Sequence, residues 1–135
     1  MLDQTQIQTL LTAAKDAMNL AYVPHSQFRV GAAILYSDDS IVTGCNIENA
    51  SFGATICAER TAISSAISQG KTQGNSCSIV AVCVTNTTDT KITPCGICRQ
   101  VLYEFGTDFP VICSNVDGAF DVHTIRELLP HAFTL

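Results

Sequence analysis

Ser78-Ile79-Val80-Ala81-Val82-Cys83-Val84-Thr85 is an unbroken, mostly apolar run, and Thr93-Pro94-Cys95-Gly96-Ile97-Cys98 follows it. The run reads as a strand buried on both faces and therefore central in a sheet. Thr93 and Pro94 then read as the N-cap and first-turn proline of a helix reaching about residue 105. A further apolar run at 109–113 completes a strand–helix–strand unit, the pattern of a crossover between parallel strands.

The rest of the chain extends this unit in both directions. Asp3 with Gln6 three residues later forms a capping pair, and Ile7, Leu10, Leu11, Ala14 and Met18 recur at helical spacing. The spacing predicts a first helix over 4–20, broken by Tyr22-Val23-Pro24. Apolar runs at 28–36 and 41–47 flank Ser37-Asp38-Asp39-Ser40, which predicts an antiparallel hairpin. A second helix is expected over 57–69, with Ala62, Ile63, Ala66 and Ile67 inward and Gly70 as its stop. After the 109–113 strand come a turn at Asn115-Val116-Asp117-Gly118 and a short strand over 119–122. Thr124 with Glu127 caps a last helix ending at Pro130. The order α-β-β-α-β-α-β-β-α implies an α/β fold of three layers, α/β/α, around a five-stranded mixed sheet. Residues 1–135 are expected to form one domain, with right-handed crossovers.

Composition narrows the function. The 135 residues are 47% hydrophobic and only 14% charged, and mean hydropathy is +0.26. So apolar a small chain either buries most of itself or covers its surface with copies of itself. Seven Lys+Arg stand against twelve Asp+Glu, a net charge of −5. A nucleic-acid binder needs clustered cations to displace counterions from phosphates, so no nucleic-acid partner is expected. A neutral or cationic small molecule fits better. No apolar run has the length of a membrane span, and no signal peptide is evident, so a cytoplasmic protein with no membrane partner is expected.

Seven cysteines is an odd number, which argues against a disulfide framework. Cys45, Cys77, Cys83 and Cys113 sit in or beside apolar runs and read as small buried hydrophobes. Cys57, Cys95 and Cys98 need another account. Cys95 and Cys98 are spaced to face one point at a helix start, where the helix dipole favours thiolates. Cys57 opens another helix on the same sheet edge, outside the carboxyl ends of the strands, where such folds bind ligands. Three thiolates suit Zn2+, one per chain, with Zn–S distances of about 2.3 Å. None of His25, His123 and His131 is spaced to close a fourth position, which leaves it open for water. Glu59 can share the target only if Cys57 is the cap and Glu59 lies in the first turn. Within a regular helix the two would point about 200° apart. Arg60 is the nearby cation that would offset the thiolate charge. A thioredoxin-like Cys95-Gly96-Ile97-Cys98 redox pair and a non-catalytic zinc domain closed by Cys45 or a histidine remain alternatives at this level.

The pattern Cys-Xaa-Glu with Pro-Cys-Xaa-Xaa-Cys is the zinc-deaminase signature, for which cytidine deaminases are a standing example. Over nearly its whole length the chain resembles the small cytidine deaminases that act on free nucleosides. The likeness is carried by residues 26–33, Asn46-Ile47-Glu48-Asn49-Ala50-Ser51, Thr55-Ile56-Cys57-Ala58-Glu59-Arg60, Pro94-Cys95-Gly96-Ile97-Cys98-Arg99-Gln100, and 128–133. Cysteine at 57, where other branches carry histidine, fits the nucleoside branch. The resemblance implies zinc on Cys57, Cys95 and Cys98, with Glu59 as the proton carrier in hydrolysis of cytidine and 2′-deoxycytidine to uridine and 2′-deoxyuridine with release of ammonia. It further implies that Phe28 stacks on the pyrimidine, the Ala58 backbone contacts the base, and Asn46 and Glu48 bind ribose hydroxyls. The family is typically a homotetramer with sites at subunit interfaces, and Phe133 resembles the terminal aromatic that reaches a neighbour's site. Phe52 stands where many members carry Tyr. A closer alternative is a deaminase of the same fold acting on a modified cytosine compound such as a nucleoside antibiotic.

Overall fold

The computed structural model describes residues 1–71 and 77–135. Its elements run α1 (Gln4–Met18), β1 (Val30–Tyr36), β2 (Ile41–Cys45), α2 (Ala58–Ser68), β3 (Ile79–Asn86), α3 (Gly96–Tyr103), β4 (Pro110–Ser114), β5 (Phe120–Thr124) and α4 (Ile125–Leu128), with a 3-10 turn at Phe52–Ala54 before α2. The sheet order is β2-β1-β3-β4-β5. Among the described strands, β3 and β4 pair in parallel, whereas β1–β2, β1–β3 and β4–β5 are antiparallel. The expected five-stranded mixed sheet is present, with β3 in its centre.

Alternation along β1 explains the layers. Val30, Ala32, Ile34 and Tyr36 face a cluster with Ala58, Ala62, Ile63 and Ala66 of α2 and Leu102 of α3. Ala33 and Leu35 face the other way, joining Leu10 and Ala14 of α1 with Ala81, Cys83 and Ile112. Both faces of the sheet are therefore covered, which is why β1 and most of β3 are buried without interruption. Each large aliphatic side chain so buried contributes roughly 1.5–3 kcal/mol.

Several boundaries differ from the sequence reading. β1 begins at Val30, not residue 28, because Gln27 adopts φ 57° and turns the chain just before it. β2 ends at Cys45, and Ile47 makes only isolated bridges with Tyr22 and Ile56. Thr93 is not the cap of α3. Its hydroxyl accepts from Arg99 Nη2 at 2.8 Å, the Pro94 carbonyl accepts from Arg99 Nε at 2.7 Å, and the helix starts after Cys95. Ile67, expected inward on α2, is 41% exposed. Gly70 does end α2: at φ 85° its N–H donates to Ile67 and that of Lys71 to Ala66, the Schellman pattern. Cys77, Cys83 and Cys113 are buried as expected, whereas Cys45 is only half-buried. Among the described residues, no helix is long and apolar enough to cross a membrane.

β2 and β3 both run antiparallel to β1, so their carboxyl ends lie on one edge. α2 follows the first of these strands and α3 the second. Topology alone thus brings the starts of both helices together.

Candidate active site at two helix starts

Cys57 and Cys95 occupy equivalent places. Each is the N-cap of its helix, with extended backbone at ψ 155° and 166°, and neither thiol makes a capping hydrogen bond. Each thiol is therefore free to turn toward the other, and their sulfurs lie 3.7 Å apart. Cys98, one turn into α3 and fully buried, completes a group whose three sulfurs all lie within 4.8 Å of one another. Among the described residues, no histidine, carboxylate or fourth cysteine joins this group. The geometric demand on Glu59 is met as well. It sits in the first turn of α2 beside the Cys57 cap and is 3% exposed.

The electrostatics of this cluster fit a dication. A hydrogen bond with Cys98, then others from Arg60 and Cys95, holds the Cys57 thiol down to about 5. The same contact with Cys57, together with burial and the charge of Glu59, pushes Cys98 far above the ordinary thiol range. Three sulfurs this close cannot all ionise against one another; a divalent cation among them removes that penalty. Arg60 contributes from one side, its Nη2 donating to Cys57 Sγ at 3.5 Å while its buried Nε has no hydrogen-bond partner. Burial pushes the Glu59 carboxyl up to about 7, with the Cys57 charge adding to it. A carboxyl poised there exchanges protons readily near neutrality.

A cavity of about 430 Å³ opens onto this cluster. Phe28, Asn46, Glu48, Cys57, Ala58, Glu59 and Cys95 all line it. One edge is built by Glu48, whose Oε1 accepts from the backbone N–H groups of His25 and Ser26 at 3.0 and 3.1 Å. The Ser26 hydrogen bonds hold this carboxyl below its ordinary range. Asn46 is tied to backbone on both sides, donating to Phe28 O and accepting from Val30 N, each at 2.8 Å. It thus fixes the turn that presents Phe28 to the cavity. Phe133 lies elsewhere within the chain. It is 71% exposed, lines a separate groove with Gln100 and Tyr103, and its carbonyl accepts from Gln100 Nε2 at 3.0 Å.

Sequence reasoning missed several contributors. Val30, Thr55, Ile56, Ile92 and Thr93 also line the cavity; Val30, Thr55 and Ile56 lie inside family-like stretches of sequence that give them no role, and Ile92 and Thr93 lie just before Cys95. Arg99 follows the Cys98 thiol, and nothing in its spacing discloses a role. Its guanidinium clamps Pro94 O, Thr93 Oγ1 and, at 2.7 Å, Leu128 O, bracing the loop before Cys95 against the C-terminal segment. Phe52 is 81% exposed and meets His25 edge-on at 6.5 Å between ring centroids.

The convergence of Cys57 with both α3 thiols leaves the thioredoxin-like reading without support. Comparison with known proteins agrees. Residues 4–114 match the family model described as the cytidine and deoxycytidylate deaminase zinc-binding region. A cytidine deaminase from Halalkalibacterium halodurans is 46% identical over 94% of this chain and 93% of its own length. A crystal structure of cytidine deaminase from Burkholderia pseudomallei superposes with a TM-score of 0.87 at 43% identity, covering 93% of this chain and 98% of that one. A blasticidin-S deaminase from Bacillus cereus is 30% identical over 93% of this chain and 90% of its own. With its fold, its thiol cluster and these likenesses in agreement, the chain belongs to the cytidine deaminase family of hydrolases.

Proposed function

We propose that residues 1–135 form a single catalytic domain that hydrolyses cytidine and 2′-deoxycytidine to uridine and 2′-deoxyuridine, releasing ammonia in pyrimidine salvage. The observation that carries this reading is the buried Glu59 carboxyl beside three converging thiols at one end of a cavity. One zinc ion per chain, held by Cys57, Cys95 and Cys98, would supply the Lewis acidity that makes water a nucleophile near neutral pH. Glu59 accepts a proton from the attacking water and delivers it to N3 of the ring, then takes the remaining hydroxyl proton of the C4 adduct and passes it to the departing amino group. Water oxygen replaces the amine at C4, and the proton count closes on uridine and ammonia. Phe28 offers a face to the pyrimidine, and the backbone of Ala58 meets its polar edge. Asn46 and the ionised Glu48 bind the ribose hydroxyls. Arg60 balances thiolate charge.

The cavity wall argues for a nucleoside over a nucleotide. Its described lining residues include two carboxylates, Glu48 and Glu59, and no Lys or Arg. A 5′-phosphate would find no counterion there. Apolar exposure around the mouth, at Phe28, Ile56 and Phe52, and at Phe133 on the tail, supports a homotetramer with sites at subunit interfaces. In that assembly Phe133 closes a neighbour's site. A cytoplasmic location is part of this reading, since the seven cysteines are free thiols that a reducing compartment keeps so.

The test is ammonia release from cytidine, deoxycytidine, cytosine and CMP. Cytidine and deoxycytidine are expected to react, and CMP is not. Glu59→Gln should keep fold and zinc while losing at least about 10³-fold in kcat, the scale of a lost general acid–base group. Full activity in that variant, or preference for CMP, would overturn the assignment.

A further inference from the structure

Two glycines in neighbouring strands lie under helices at separations that no side chain tolerates. A Cβ on Gly31 would meet Ala14 O at 2.0 Å and Met18 N at 2.6 Å, both in α1. A Cβ on Gly44 would meet Ala62 N at 2.4 Å and Ala58 O at 2.6 Å, both in α2. All four are backbone atoms of packed helices, so no rotamer change relieves either clash. Neither glycine has a positive φ, so the close approach, rather than backbone freedom, is what glycine provides here.

The two contacts differ in what the helix carries. α1 contributes no residue to the cavity or to the thiol cluster. The helix above Gly44 begins with Cys57 at its cap, then Ala58 and Glu59, and the Ala58 carbonyl is one of the atoms a Cβ at 44 would strike. The partners of Cys57 sit on a different helix, α3. Their spacing is therefore set by how deeply α2 seats on the sheet.

We propose that Gly44 is a positioning residue of the active site: its missing side chain seats the first turn of α2 against β2 and thereby sets Cys57 and Glu59 opposite Cys95 and Cys98. The inference rests on the deaminase reading for the reaction it serves, but the geometry it explains belongs to the chain. A methyl group at 44 lifts that turn by roughly an ångström, a misplacement that can cost on the order of 10²-fold in rate.

The experiment compares Gly44→Ala with Gly31→Ala, each purified as full-length protein and checked for folding by circular dichroism. Cobalt(II) titration, followed by thiolate-to-metal charge-transfer absorption, reports assembly of the three-sulfur site without reference to activity. Gly44→Ala should bind cobalt at least tenfold more weakly, with weaker charge-transfer absorption, and lose at least tenfold in kcat with KM for cytidine changed less. Gly31→Ala should unfold at lower temperature than the parent yet keep cobalt affinity and kcat within about twofold. Equal losses in both variants, or parental cobalt binding by Gly44→Ala, would overturn the proposal. Should Gly44→Ala fail to fold, Ala62→Ser crowds the same turn from the helix side. It should weaken cobalt binding and kcat about threefold, and parental values would count against Gly44 equally. Cytidine conversion by the parent protein tests the deaminase reading separately. A parent that binds cobalt through three thiolates and leaves cytidine intact refutes that reading alone.

Discussion

The four α-helices among the described residues begin in two ways. α1 and α4 open with complete capping boxes: Asp3 and Gln6 exchange hydrogen bonds at one, Thr124 and Glu127 at the other. α2 and α3 open with cysteines whose side chains cap nothing. A good N-cap stabilises a helix by about 0.5–2 kcal/mol over a poor one, so both site helices give up local stability. In exchange, the positive dipole ends of both helices lie beside thiols that remain free to face one another. The contrast separates helices whose starts are closed by local caps from helices whose starts bring the three thiols together. Substitutions at the starts of the two kinds should therefore behave in opposite ways.

The largest effect is expected at Cys57. Cys57→Ser removes one thiol of the proposed metal site and supplies a capping hydroxyl in the same place. Activity should fall by at least about 10³-fold with loss of bound zinc, whereas the metal-free protein should gain up to about 1 kcal/mol in stability. Metal analysis and urea unfolding of the chelator-treated protein read the two results independently. A metal-free variant less stable than its parent would show that the cap position contributes nothing here.

A smaller effect concerns pH. In the metal-free protein the folded pKa of Glu59 is about 7, against an ordinary 4.5. The unfolded chain thus loses this proton first as pH rises. The contribution of the protonated carboxyl is complete below 4.5 and is lost as pH climbs through 7. At about 1.4 kcal/mol per pKa unit, the decline sums to roughly 3.5 kcal/mol. Glu59→Gln cannot ionise. Its stability relative to the parent should therefore rise by that amount across the interval, as urea midpoints at several pH values would reveal. A constant difference between the two would mean that Glu59 is solvated when the metal is absent.

What the sequence disclosed and what it concealed divide along similar lines. Both capping boxes, the Gly70 stop and the Ser37–Ser40 hairpin turn are local chemistry, decided by residues three or four apart, and each reads directly. The sheet edge that joins Cys57 to Cys95 follows from the alternation of strands and helices. Thr93 misled because its local pattern is a good cap, yet Arg99 takes its hydroxyl and the Pro94 carbonyl. That competition exists only once α3 is folded. Gly44 and Gly31 look like ordinary strand glycines until helices are laid over them. The exposure of Ile67 likewise depends on where α2 lies across the sheet, which its own periodicity does not set. Roles assigned to Phe28, Asn46 and Glu48 came from resemblance. Their shared cavity supports those roles, while the backbone bonds of Asn46 and Glu48 add a structural duty that spacing could not show.

The smallest effects should fall on the capped helices, and they bear most directly on the division of labour. Asp3→Ala removes the oxygen that accepts from Gln6 N at 2.7 Å, and Thr124→Ala removes the one that accepts from Glu127 N at 3.2 Å. Each should cost about 1 kcal/mol of stability. Both lie outside the cavity lining, so kcat for cytidine should stay within about twofold. The two need not be equal. α4 is a single turn that leads into the segment braced by Arg99 and Gln100, at Leu128 O and Phe133 O. If Phe133 closes a neighbouring site, loosening α4 should raise KM for cytidine modestly, whereas loosening α1 should not. Matched thermal midpoints with a KM change confined to Thr124→Ala would assign the tail a part in substrate binding. A KM change in Asp3→Ala would mean instead that the α1 layer also supports the site, and the separation of capped helices from thiol-bearing ones would fail.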